Sequence, residues 1–309
     1  MQTQSLKLAY WAVIVNAVIV GFSFLFTKVA IEFADPMDTL TFRFAASFAV
    51  ILIPFIFGRL TLNFRGKSLV KPLLLAAIYP LGFFVFQTFG LQYATSSEGG
   101  ILYAFTPVLT MLLAFLFLKE STTLLQKLSI ALSIFGVVFI LVMKGSGFSL
   151  SNTAGIILLS LSCLAFAGYS VLARSMLKTY RPVEITFLTQ GIGFTVFLVI
   201  SLTNHVTTGT IKTFFTPLAS GSFILSVLYL GVLSSLITAL TANYALSKLE
   251  ASRVSVFTSL STVVSIAAGA LLLGEEIRLY HIIGSVLIIV GVIGTNQASR
   301  KAEKHPDLG

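Results

Sequence analysis

The chain has 309 residues, of which 56% are hydrophobic and 10% charged, with a mean hydropathy of +0.98 and a net charge of +9. A soluble domain carries about a quarter charged residues, so the composition excludes ordinary soluble folding and makes the lipid bilayer the first partner. The positive charge does not mark a nucleic-acid binder, because it is distributed among the connections between apolar runs.

A membrane helix needs about 20 apolar residues, since the hydrocarbon core is about 30 Å thick and each residue rises about 1.5 Å. Ten such runs follow in order, at residues 8–28, 39–58, 72–93, 99–118, 124–143, 154–173, 183–203, 221–246, 253–273 and 279–297. They are continuous rather than alternating, and a lipid-exposed sheet edge would leave backbone groups unpaired, so helices are required. The fold class is an all-α polytopic membrane protein with ten transmembrane helices. The connections leave no room for a sizeable soluble domain. The first run is too long for a signal-peptide core and no convincing small-residue cleavage site follows it, so it reads as a span.

With the N-terminus placed inside, the inside segments hold Lys7; Arg59, Arg65, Lys67 and Lys71; Lys119 and Lys127; Arg174, Lys178 and Arg181; Lys248 and Arg253; and Arg300, Lys301 and Lys304, fifteen in all. The outside segments hold Lys28, Lys144, Lys212 and Arg278, and Arg43 falls within the second run. This split follows the positive-inside rule and places both termini in the cytoplasm of a plasma-membrane protein. Cys163 stands alone, which rules out a disulfide framework or a cysteine metal site; it reads as a small apolar filler.

Residues 89–138 align with 244–293 at a constant offset of 155, with eleven of 50 positions identical. The informative matches are Ser97 with Ser252, Glu120 with Glu275, and Gly136 with Gly291. Upstream the offset becomes 146, where Lys28 matches Arg174 and Pro36 matches Pro182. Each half therefore holds five helices. Because five is odd, the second half enters the membrane in the opposite sense: two inverted five-helix repeats over residues 1–147 and 148–298, followed by a polar tail, 299–309, expected to be mobile and cytoplasmic.

The stretches "GFSFLFTK" (Gly21–Lys28), "TLTFRFAAS" (Thr39–Ser47), "YATSSEGGILYAFTPVLTMLLAFLFLKE" (Tyr93–Glu120) and "YALSKLEASRVSVFTSLSTVVSIAAGALLLGEE" (Tyr244–Glu276) carry a resemblance to the EamA-like family of the drug/metabolite transporter superfamily. The resemblance implies ten helices, both ends cytoplasmic, and a central cavity lined mainly by helices 1, 3, 4, 6, 8 and 9, with 5 and 10 peripheral. It also points to export of small metabolites such as amino acids or their derivatives by alternating access; uptake of a related solute is the alternative. Pro107 has Thr262 as its counterpart, so a bend made by Pro107 would leave the halves unequally bent.

Glu120 and Glu275 end the fourth and ninth runs. A carboxylate is favoured at a helix N-terminus rather than a C-terminus, so each is expected to serve the start of the following helix, as a structural cap or as a gate. Arg43 is either an anchor reaching the interface by snorkelling or a substrate contact. No Asp, Glu or His lies near the middle of a run, so coupling to protons through a midplane carboxylate is not expected.

Uncharged polar and aromatic residues at midplane depth are then the substrate-binding candidates: Asn16; Phe83 and Gln87, which share a face; Tyr103; Tyr169; Ser235 and Thr238, with Asn243 beside their stripe; and Ser259. The serine and threonine stripes read equally as close helix packing, their hydroxyls bonding their own backbone. Such a lining suits a small amphipathic or zwitterionic solute. An enzyme is disfavoured. "GKS" at Gly66–Ser68 lacks the earlier P-loop glycine, and the three histidines lie near loops or the tail. Nothing requires a cofactor or metal. Gly136 and Gly291 would allow close packing against the bundle or against a second copy in a homodimer.

Overall fold

Proline and the polar connections set where the helices begin. The computed structural model describes residues 2–59, 61–94, 96–120, 123–144, 153–273 and 278–304. Its helices in order are α1 (Gln2–Ala30), α2 (Pro36–Ile56), α3 (Val70–Tyr93), α4 (Ser96–Tyr103), α5 (Thr106–Leu118), α6 (Leu124–Lys144), α7 (Thr153–Met176), α8 (Pro182–Thr207), α9 (Gly221–Lys248), α10 (Ala251–Val256), α11 (Ser259–Leu273) and α12 (Leu279–Lys304). Pro36 and Pro182 open α2 and α8, where a missing N–H costs nothing. Among the described residues seven stretches are long and apolar enough to cross a membrane: α1, α2, α3, α7, α8, α9 and Ala251–Leu272. Shorter apolar helices occupy Thr106–Leu118, Leu124–Gly136 and Ile282–Gly291. The protein is thus a multi-pass membrane protein.

Two long helices carry wide π turns, at Ala77–Gly82 in α3 and Tyr229–Ile237 in α9. At the offset of 155 the first maps onto 232–237, inside the second. In α3 the cause is visible: Pro80 disfavours helical geometry at its predecessor, and Tyr79 is extended at φ −145°, ψ 114°.

The fourth and ninth runs are both broken, at Ala104–Phe105 and Phe257–Thr258. Pro107 sits in the first turn of α5, downstream of its break. The expected inequality between the halves is therefore absent, because both breaks use the same device. Phe105 and Val108 donate to Leu102 and Phe105, and Phe257 and Thr258 donate to Val254 and Ser255, all three residues back. These 3₁₀-type bonds tighten the chain without a proline.

The packing joins the two halves. The lateral pairs are α1 with α9 and α11, matched by α7 with α3 and α5. Likewise α2 with α9 is matched by α8 with α3, and α4 with α11 by α10 with α5; α2 packs on α8, and α6 on α12. The glycine alternative at Gly136 and Gly291 thus has an intramolecular answer. A Cβ on Gly136 would stand 2.7 Å from the Gly284 carbonyl oxygen, and one on Gly291 would stand 2.5 Å from that of Ser129. Helix α12 runs on to Lys304, into the polar segment that follows the tenth apolar run.

Gly291→Ala should lower stability by about 1–3 kcal/mol, since the new methyl meets the Ser129 carbonyl and the Ser133 backbone nitrogen as well as the Ser133 hydroxyl. Gly168→Ala, whose methyl would stand 3.7 Å from Ile78, should be close to neutral. Thermal unfolding of the purified protein checks both, and equal melting temperatures for the two variants would contradict the close α6–α12 contact.

Candidate functional site

The interrupted helices surround a central cavity of about 20 Å³, room for one water. Its polar lining comes from Asn16 and Ser23 of α1, Arg43 of α2, Gln87 of α3, and Ser234 and Thr238 of α9. Its aromatic lining comes from Tyr79, Phe83, Phe84, Tyr103, Phe166 and Tyr169. A second cavity of about 20 Å³ shares Asn16, Tyr103 and Phe166 and continues toward Val13 and Phe257. A wider vestibule of about 710 Å³ lies beyond the other end, lined by Glu32, Asp35, Asp38 and His205.

Of the nine residues expected to bind substrate, Asn16, Phe83, Gln87, Tyr103, Tyr169 and Thr238 line the central cavity. Ser235 and Asn243 stand behind it. Asn243 accepts the Tyr169 hydroxyl at 2.7 Å and donates to Thr186 Oγ1 at 3.0 Å, which fixes the phenol. Asn16 Nδ2 donates to the Thr238 carbonyl at 2.8 Å and to Thr241 Oγ1 at 3.1 Å, so α1 is pinned to α9. Ser259 does not reach the cavity. It is buried at the start of α11, and its hydroxyl has no partner among the described residues.

Arg43 is 1% exposed, so it does not snorkel to the interface. Its Nε donates to Ser235 Oγ at 2.7 Å and its Nη2 to Ser234 Oγ at 3.0 Å, while its guanidinium carbon lies 4.1 Å from the centre of the Phe84 ring. Inward anchoring wins because α9 offers two adjacent hydroxyls and α3 an aromatic face.

The expectation missed Ser23, Tyr79, Phe84, Phe166 and Ser234. Two of them were signalled: Tyr79 precedes Phe83 by four residues, and Ser234 precedes Thr238 by four, at positions equivalent under the offset of 155. Tyr79 stacks on Tyr169 with centroids 4.3 Å apart.

Glu120 obeys the expected preference with a different partner. Lys119 closes α5 in the left-handed conformation, φ 56°. Glu120 Oε1 accepts from Ala251 N at 3.2 Å, and Oε2 accepts from Ser252 N at 3.3 Å and Ser252 Oγ at 2.8 Å. It therefore caps α10 and not the following helix. Helix α6 has its own capping box, in which Thr123 N donates to Gln126 Oε1 at 2.7 Å and Gln126 N to Thr123 Oγ1 at 3.3 Å. Glu275 lies outside the described residues.

Lys28 and Arg174 perform matching tasks. Lys28 Nζ donates to the carbonyls of Leu91 at 2.7 Å and Ala94 at 3.1 Å; Arg174 Nη1 donates to that of Leu246 at 2.6 Å. Leu91 and Leu246 are equivalent at the offset of 155, so the two cations close the C-terminal ends of α3 and α9 at equivalent positions. The α2–α8 pair is held near one end by Asp38, which accepts from Ser201 and meets His205 Nε2 at 2.9 Å. At the opposite end of α8, Glu184 accepts from Lys67 at 2.7 Å and from Asn63 N at 3.1 Å.

A multi-pass bundle closed around a mixed polar and aromatic cavity belongs to the class of membrane transport proteins. The chain belongs to the EamA-like transporter family, whose model matches residues 7–142 and again 153–297. It is 43% identical over 300 residues to the "Uncharacterized transporter YcxC" of Bacillus subtilis (strain 168), covering 97% of this chain and 96% of that protein. An "Uncharacterized transporter" of Archaeoglobus fulgidus is 29% identical over 279 residues, covering 88% and 92%. The "WAT1-related protein At3g18200" of Arabidopsis thaliana is 27% identical over 231 residues, covering 67% and 59%. A solved crystal structure of an 18% identical protein superposes with a TM-score of 0.71 over 97% of this chain and 98% of that one, which shows the shared fold.

Glu120→Ala should cost about 0.5–2 kcal/mol, the usual worth of a helix cap. Combining it with Ser252→Ala should reveal a coupling of about 0.5 kcal/mol or more. A double-mutant cycle in thermal or denaturant unfolding measures this, and strict additivity would mean that the two side chains do not act together.

Proposed function

We propose that the protein is a secondary transporter that carries a small metabolite by alternating access between two inverted five-helix units, residues 1–147 and 148–298. The observation that carries the reading is that the central cavity is lined from both halves, with Tyr79 and Ser234, at equivalent positions in the π-turn segments of α3 and α9, both among its walls. The reproduced helix pairings, the twofold family match and the equivalent tasks of Lys28 and Arg174 all support the repeat.

A cavity of about 20 Å³ is far below the 300–1,000 Å³ typical of a small-molecule site. The present conformation is therefore a contracted one, and solute entry requires the walls to part. Inverted halves give that motion two mirror-related outcomes, one opening toward each side. Glu120, reaching from the end of α5 to the start of α10, serves in this scheme as a tie that holds one end shut.

Both termini lie in the cytoplasm of the plasma membrane in this reading, and export of amino acids or related metabolites is the expected direction; the solute gradient sets the actual one. The protein acts without cofactor and as a carrier rather than an enzyme.

Purified protein in liposomes should move a labelled small solute above the rate of protein-free vesicles. Tyr169→Ala and Gln87→Ala should each reduce that rate about tenfold while the protein remains folded by circular dichroism. In a Cys163→Ser background, single cysteines at Ser23 and Val254 should change in reactivity in opposite senses when solute is added. No movement of any solute in a broad screen, or identical reactivity changes at both positions, would refute alternating access.

A further inference from the structure

We infer that the solute taken by the central cavity is an organic carboxylate with an apolar or aromatic body and a hydrogen-bond donor, its carboxylate docking on Arg43. This inference rests on the transport reading and gives it a substrate class.

Arg43 is a buried charge with no ion-pair partner among the described residues. Among the described residues the ion pairs are Lys67–Glu184, His205–Asp38 and Arg253–Glu250, and none involves Arg43. Ser234 and Ser235 supply dipoles and Phe84 a ring face, but none carries negative charge. A buried cation in a membrane protein normally finds a counter-charge or marks the path of an ion.

The guanidinium is also incompletely bonded. Nη1 is buried and has no partner among the described residues, while Nε and Nη2 are already engaged. Anchoring α2 to α9 accounts for those two nitrogens and leaves the third unexplained. Arg43 lines the central cavity, so its remaining donor is available to an acceptor arriving there. A guanidinium nitrogen bonded to an anionic oxygen forms a strong, charge-assisted hydrogen bond.

The same cavity holds the opposite deficit. Gln87 Oε1 is buried without a partner, and Gln87 also lines the cavity. It calls for an N–H or O–H group on the solute. The same cavity is lined by the rings of Tyr79, Phe83, Phe166 and Tyr169, which suit an apolar or planar body and offer no second cation for a multiply charged phosphate. A carboxylate at Arg43 neutralises the charge as it fills the cavity, so the loaded carrier crosses between conformations with less uncompensated charge than the empty one.

The test uses the full-length protein in nanodiscs and a panel of matched probes, each an aryl or alkyl carboxylate beside its carboxamide, such as 4-hydroxyphenylacetate and 4-hydroxyphenylacetamide, with inorganic phosphate as a further anion. Calorimetry and thermal shift should show carboxylates binding about tenfold or more tightly than their amides. Arg43→Gln should abolish that preference, Arg43→Lys should keep part of it, and Gln87→Leu should weaken probes bearing a donor more than those without one. Should Arg43→Gln fail to fold, the wild-type comparison and Arg43→Lys still decide. Equal binding of acids and amides, binding of neither, an undiminished preference in Arg43→Gln, or stronger binding of phosphate would overturn the inference. Liposomes that transport neutral solutes without any carboxylate preference would sink the inference and leave the transport reading standing. A retained carboxylate preference in protein that moves no solute would do the reverse.

Discussion

In hydrocarbon, a backbone group that leaves its helix has no water to receive it. Every departure from regular helix in this protein must therefore be satisfied internally, and the departures gather near the centre. Tyr79 leaves helical geometry in α3, α9 widens through Tyr229–Ile237, and the fourth and ninth runs break at Ala104–Phe105 and Phe257–Thr258. Around the break in the ninth run the local repairs are made by hydroxyls. Ser255 Oγ donates to the Ser252 carbonyl at 2.9 Å, Thr258 Oγ1 to that of Ser255 at 2.6 Å and Ser261 Oγ to that of Thr258 at 2.5 Å, while Thr262 Oγ1 reaches across to the Gly100 carbonyl at 2.7 Å. Among the described residues, the interruptions inside the apolar runs thus lie within the packed bundle.

This accounts for what was legible in the chain and what was not. Long apolar runs announce helices because the bilayer fixes their length, and proline at 36 and 182 marks two of the starts. Interruptions inside a run leave composition unchanged. The fourth run reads as one span until Phe105 and Val108 are seen donating three residues back instead of four. The polar residues chosen from depth alone divided by rotation about the helix axis. Thr238 faces the cavity, Ser235 turns toward Arg43, and Ser259 packs elsewhere. Depth follows from position along a run, whereas facing depends on the π turns, which shift the angular register of everything beyond them.

Glu120 and Arg43 show the same limit in electrostatic form. The preference of a carboxylate for a helix N-terminus is general, but several N-termini compete, and sequence proximity favoured the wrong one. Thr123 and Gln126 already satisfy the neighbouring helix, while the left-handed turn at Lys119 directs Glu120 toward Ala251 and Ser252 in the other half. For Arg43, position within the run allowed either the interface or the interior. The outcome was decided by partners on α3 and α9, which only the folded arrangement brings within 3.0 Å hydrogen bonds and a 4.1 Å ring contact.

Because α1 lies on α9 and α11 while α7 lies on α3 and α5, neither half completes its packing without the other. The two halves therefore cannot simply slide apart as independent domains; apolar surface uncovered at one end of the bundle must be balanced by surface covered at the other. The distribution of polar ties fits that requirement. Asp38 and His205 join α2 to α8 near one end, Glu184 and Lys67 fasten the opposite end of α8, and Glu120 spans from α5 to α10. Between these ties the cavity walls are held mainly by aromatic packing, such as the Tyr79–Tyr169 stack, and by single hydrogen bonds such as Tyr169 to Asn243. Ring–ring interactions are individually weak and reform readily in other orientations. The middle of the protein is consequently held by aromatic packing and single hydrogen bonds, between ends that are fastened by charged side chains.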